Sequence, residues 1–215
     1  MFRDRREAGE RLAERLSELP SLRSTPALVL GVPRGGVLVA EVVAARLRSP
    51  LDVVIPRKLG APGNPELAVG AVAPGVRILD ERIVRSIGVS AEHIEREVER
   101  QEREIARRER RYRAGLPAVE VSGRAAIVVD DGVATGSTAL ASLRWARAQH
   151  AARVVLAVPV APMLTVRRLA HDADDVVVLE TPDVFHAVGQ FYRHFGQVED
   201  AEVLRALGRA ATVAS

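Results

Sequence analysis

Five runs of apolar residues punctuate the chain, at residues 27–32, 51–56, 125–130, 153–160 and 175–179. They are rich in Val and lack the strict alternation of a strand with one wet face, so they read as strands covered on both faces. Between them, residues 36–47, 137–149 and 162–170 carry helical patterns. The alternation predicts an α/β fold, a doubly wound parallel sheet with helices on both faces. Two stretches break the rhythm. Residues 67–79 read as a short hairpin around Pro74-Gly75, and residues 90–113 as a long charged helix with Ser90 as N-cap. The apolar stripe of that helix is thin: Ile94, Val98, Ile105 and Tyr112 recur at spacings of four and seven. A solvated helix along one edge is the expectation, although its arginine density also suits an RNA-facing or subunit-facing role.

Composition adds limits. With 215 residues and 47% apolar content, the chain suffices for one domain spanning 1–215, with room for a small lid. Aromatics make up only 3%, so Val, Ala and Leu must fill the core, with Trp145 as a core residue. No apolar run reaches membrane-spanning length and residues 3–7 are all charged, so a cytoplasmic location without a membrane partner is expected. The absence of Cys excludes disulfides, thiolate zinc sites and Cys nucleophiles. His186 and His194 make no zinc pattern. The net charge of +3 is modest, and the pI of 10.1 follows from Arg, so nucleic acid is not an expected partner. Lys58 is the single lysine and Asn64 the single asparagine, six residues apart in a Pro/Gly-rich loop.

The chemistry concentrates after the third strand. Asp130 and Asp131 end it, and a turn containing Ala134, Thr135 and Gly136 leads to Ser137 and Thr138 at a helix start. Successive N–H groups and hydroxyls there make a concave anion site suited to a phosphate monoester. The adjacent carboxylates suit vicinal hydroxyls or a hydrated Mg²⁺. Together they match a ribose 5-phosphate. The Walker spacing and the Gly-x-Gly-x-x-Gly fingerprint are both missing.

The segment from Val128 to Thr138 resembles the PRPP-binding motif of type I phosphoribosyltransferases. The resemblance implies PRPP as donor, Mg²⁺ as cofactor and a lid over the sheet. It places Asp130 and Asp131 on the ribose hydroxyls, with Mg²⁺ held through water, and residues Thr135, Gly136, Ser137 and Thr138 on the 5-phosphate. A dimer is the family's usual habit. One departure stands out: the 6-oxopurine branch commonly has an Asp where this chain has Ala134. Oxopurine acceptors are therefore disfavoured.

Gly31-Val32-Pro33-Arg34-Gly35-Gly36 follows the first strand, and its glycines permit close approach of an anion. It resembles the family's pyrophosphate loop, which implies that Arg34, Gly35 and Gly36 lie near the leaving group. Arg57 and Lys58 follow the second strand and would meet the same ligand, where cations offset the charge that develops on pyrophosphate. By family habit, residues 59–75 are the expected mobile lid. Glu66 within them is either a general acid or base or a surface carboxylate. Residues 181–215 are the expected hood, where Phe185 or Tyr192 either stacks on a small-molecule acceptor or packs into the core. The main reading is transfer of phosphoribosyl from PRPP to a nitrogen acceptor, a nucleobase by family habit. The alternative is a non-catalytic PRPP or nucleotide sensor of the same fold.

Overall fold

The computed structural model describes residues 1–115 and 117–213, with side chains described through Gly208. Residues 214–215 of the expected hood lie outside it. Five strands form a parallel sheet: β1 (Ala27–Gly31), β2 (Leu51–Val53), β6 (Ala125–Val129), β7 (Arg153–Val160) and β8 (Asp175–Glu180). Their order is β2-β1-β6-β7-β8, with Leu30 beside Val128 and Val128 beside Leu156. All five follow the apolar runs. The second is shorter than the run suggests, because residues 54–56 leave the sheet to reach the next strand.

The sheet is covered on both faces. Val29, Ile127, Val129 and Val155 pack against α1 (Arg5–Ser17) and α2 (Gly35–Leu47). Leu28, Leu30, Val128 and Leu156 pack with Leu143 and Trp145 of α5 (Ser137–Ala148). Truncating one such buried leucine to Ala would cost about 2–5 kcal/mol. Helix α6 (Met163–Leu169) lies between β7 and β8 in sequence and buries Leu169 in the α5 cluster.

A second, antiparallel sheet joins β3 (Arg57–Ala61), β4 (Asn64–Ala73) and β5 (Val76–Leu79) in the order β3-β4-β5. The turn at Pro74-Gly75 is where the sequence puts it, with Gly75 at φ 71°. The segment expected as a Pro/Gly-rich loop before it is a hairpin too, turning at Pro62-Gly63 with Gly63 at φ 72°. This sheet packs between α5 and α4 (Ala91–Arg113). The thin stripe Ile94, Val98, Ile105 and Tyr112 does that docking: all four are buried, together with Leu59, Val69 and Val72. Ser90 caps α4 by accepting the His93 N–H at 3.2 Å.

Helix α3 (Glu81–Ser86) follows the small sheet. Beyond β8, a single turn at Val188–Phe191 precedes α7 (Asp200–Val213), which packs on α2 and α4. No helix among the described residues is long and apolar enough to cross a membrane.

Candidate active site

The strand order reverses between β1 and β6, since β2 lies outside β1 on one side and β7 outside β6 on the other. Such a switch point opens a crevice at the carboxyl ends of the strands. Here a cleft of about 500 Å³ occupies it. Its lining gathers Arg34, Gly35, Arg57, Lys58 and Glu66 with Asp130, Asp131 and Thr138. Thus residues from both halves of the sequence pattern meet in one place.

The two acids differ in their surroundings. Asp130 Oδ1 accepts the Asp131 N–H at 2.9 Å. Burial first, and the neighbouring Asp131 charge second, push the Asp130 carboxyl well above the usual range. Asp131 instead turns Oδ2 to Arg5 Nε at 2.8 Å, and its carbonyl accepts the Tyr192 hydroxyl at 2.6 Å.

Gly35 and Gly36 have a second use that their sequence context hides. A Cβ on Gly35 would lie 1.8 Å from Asp131 Oδ2, and one on Gly36 would lie 2.8 Å from Asp130 Cα. Only glycine lets the start of α2 press against the acidic pair. The peptide bond between Pro33 and Arg34 is cis, and Arg34 Nη1 lies 4.0 Å from Asp200.

The turn after the acids ends at Gly136, at φ 77°, as the N-cap of α5. The N–H groups of Ser137 and Thr138 have no intrahelical acceptor, as at any helix start, and so point the helix dipole at the turn. Helix α6 braces the turn from behind. Thr165 Oγ1 donates to the Ala134 carbonyl at 2.8 Å, and Arg168 Nη2 donates to the Thr135 carbonyl. Thr135 is exposed, while Ser137 and Thr138 are half-buried.

On the cation side, Lys58 and Glu66 are exposed and Arg57 is half-buried. Arg57 Nε donates to Gln101 Oε1 at 2.9 Å, and Gln101 Nε2 donates to Glu97 at 2.8 Å. Burial and the nearby Arg108 charge lower the Arg57 pKa. The charged helix is therefore a wall of the cleft, contributing Glu97, Arg100 and Gln101.

The model of the family described as "Phosphoribosyl transferase domain" matches residues 4–195. The chain belongs to the phosphoribosyl transferase family. Two proteins of Mycobacterium tuberculosis, from strains CDC 1551 and H37Rv, are each 48% identical over 211 residues and are provisionally named phosphoribosyl transferases. The alignment covers 98% of this chain and 47% of each relative, so the chain spans about half their length. The crystal structure of TT1426 from Thermus thermophilus is 46% identical, with a TM-score of 0.80, and the match covers 96% of this chain and 97% of that one.

Within this phosphoribosyl transferase chain, the aromatic residues expected at the acceptor need correction in one case. Tyr192 is buried, with its ring centroid 5.4 Å from that of Phe2 and 4.9 Å from that of Phe195. Neither face is open to a base, so Tyr192 packs the C-terminal segment instead. Phe185 is half-buried and pairs with Phe191 at 5.2 Å. Sequence reasoning missed Arg5, Thr165, Arg168 and the α4 wall. The helix that carries Arg5 had a usable signal: Asp4 followed by Glu7 is an N-cap pattern, and Ala8, Leu12 and Leu16 then recur at helical spacing.

Proposed function

We propose that this chain transfers the 5-phosphoribosyl group of PRPP to a nitrogen acceptor, releasing pyrophosphate. The supporting observation is the cleft that gathers Arg34, Arg57 and Lys58 with the Asp130–Asp131 pair, beside the N-terminus of α5. In this reading the turn from Ala134 to Thr138 takes the 5-phosphate and the acids take the ribose hydroxyls. Arg34, the Gly35–Gly36 backbone and Lys58 take the pyrophosphate.

The bond from ribose C1 to the pyrophosphate oxygen breaks, and the bond from C1 to the acceptor nitrogen forms. Charge builds on the leaving group, where Lys58 supplies a compact ammonium and Arg57 a fork already oriented by Gln101. The nitrogen loses a proton, for which Glu66 is the exposed carboxylate at the cleft.

The donor set also suits Mg²⁺. Two adjacent carboxyl groups at the cleft match an ion that uses few protein ligands plus substrate phosphates. Asp130 and Asp131 would hold it through water, and the ion would help neutralise the departing pyrophosphate. By family habit the acceptor is a nucleobase, and Ala134, where the 6-oxopurine branch commonly has an Asp, disfavours an oxopurine. We place the activity in the cytoplasm, in a homodimer.

Isothermal titration with PRPP and Mg²⁺ tests the donor assignment. Binding should weaken by about tenfold or more in Asp130→Ala. No binding by the wild-type chain at millimolar PRPP overturns the reading. Pyrophosphate release across a panel of purine, pyrimidine and amine acceptors then tests the reaction, and Lys58→Ala should slow it about a hundredfold. Binding of PRPP without release on any acceptor would instead mark a sensor.

A further inference from the structure

The ion pair between Arg5 and Asp131 is unusual in its placement. Arg5 belongs to the first turn of α1, 126 residues before its partner. Both side chains are largely withdrawn from solvent, at 12% and 15% exposure. The guanidinium is held on three sides. Its Nε donates to Asp131 Oδ2 at 2.8 Å, its Nη1 donates to the Gly196 carbonyl at 2.9 Å, and its carbon lies 4.0 Å above the Phe195 ring. The pair also sits against Gly35, where the Gly31–Gly36 loop enters α2. A Cβ at Gly35 would come within 2.9 Å of Arg5 Nε as well as striking Asp131.

A buried ion pair gains little stability by itself, because desolvating both charges offsets their attraction. Its position gives it another use. Two adjacent carboxyl groups face a cleft that must accept a ligand with phosphate at both ends, and an uncompensated charge there would repel it. An arginine fixed behind one of them offsets that charge and sets the carboxylate's rotamer. Arg5 takes Oδ2, so the Asp131 carboxylate is held in one orientation at the cleft.

We infer that Arg5 is a positioning residue of the PRPP site: it orients Asp131 towards the ribose and offsets its negative charge. The inference rests on the PRPP reading above. Arg5 touches no substrate and acts through Asp131, so its effect must vanish when Asp131 can no longer carry charge.

A double-mutant cycle read by isothermal titration tests this, with PRPP plus Mg²⁺ as one ligand and inorganic pyrophosphate as the other. Arg5→Gln is expected to weaken PRPP about tenfold and to leave pyrophosphate within about twofold, because Arg34 and Lys58 are untouched. In an Asp131→Asn background, Arg5→Gln should change PRPP affinity by less than about twofold. Wild-type affinity in Arg5→Gln, an equal loss for both ligands, or additive losses in the double variant would overturn the inference. If Arg5→Gln does not fold, Arg5→Lys substitutes: it keeps the charge but not the fork, and should weaken PRPP about threefold. Unchanged affinity in Arg5→Lys then overturns the inference. A wild-type chain that binds no PRPP removes the underlying reading as well, whereas a wild-type chain that binds it while Arg5 proves neutral removes only this one.

Discussion

At the end of β6 the Asp130 carboxyl is raised by burial and by its neighbour Asp131, against the opposing effect of the Asp131 N–H. The folded chain therefore keeps a proton that the unfolded chain releases from about pH 3.8 upward. Stability contributed by this group falls as pH rises from that value through the folded pKa. Asp130→Asn removes the penalty. In ligand-free protein it should raise the melting temperature at pH 7 by about 2 °C or more while weakening PRPP binding. The gain should shrink as the scan is repeated towards pH 4, and a lower melting temperature at pH 7 would contradict it. The acidic pair itself was legible because two carboxylates at a strand end stand out in sequence. Arg5 was not, since nothing local links it to Asp131. The glycine pair was read as an anion cradle, and its steric reason, contact with the acids, appears only when β1 and β6 lie side by side.

Among the elements, α4 has the largest gap between appearance and role. Its sequence reads as a solvated charged helix, yet its four-residue stripe packs the small sheet and its flank lines the cleft. Tyr112 at its last turn donates to Asp200 of α7 at 2.7 Å. Burial first, and the Asp200 carboxylate second, push the Tyr112 phenol up to about 12. Tyr112→Phe should cost about 1 kcal/mol in urea unfolding at neutral pH. The folded chain retains the phenol proton longer, so the wild-type contribution is lost as pH rises from 10 towards about 12. The variant should show a shallower alkaline decline, and parallel curves would argue against the assignment. The strands were legible because an unbroken Val run suits a sheet buried on both faces and little else. The β3–β4 hairpin was not, because Arg57, Lys58, Pro62, Asn64, Pro65 and Glu66 lack both strand alternation and strand composition.

For the molecule as a whole, the cleft lies between two sheets of different kind. The parallel sheet supplies the acids and the phosphate turn, and the antiparallel sheet supplies Arg57 and Lys58. Residues 62–67 at the tip of the small sheet are exposed, whereas 125–129 are buried. We expect PRPP with Mg²⁺ to slow amide exchange at the tip about tenfold and to leave β6 unaffected on short timescales. Protection confined to the parallel sheet would mean that residues 59–75 are a fixed wall rather than a lid.

The pairing of β1 with β6 also has a kinetic meaning. Everything from α2 through α4, including the whole antiparallel sheet, lies between these neighbours in sequence. The hairpins of the small sheet close short loops and can form early, but Leu30 meets Val128 only after a very long loop is closed. The acids and the Gly31–Gly36 loop ride on those two strand ends, so the cleft is among the last features to exist during folding. A ligand that spans it binds no earlier species. PRPP should therefore stabilise the native state by mass action and slow unfolding, with little acceleration of folding.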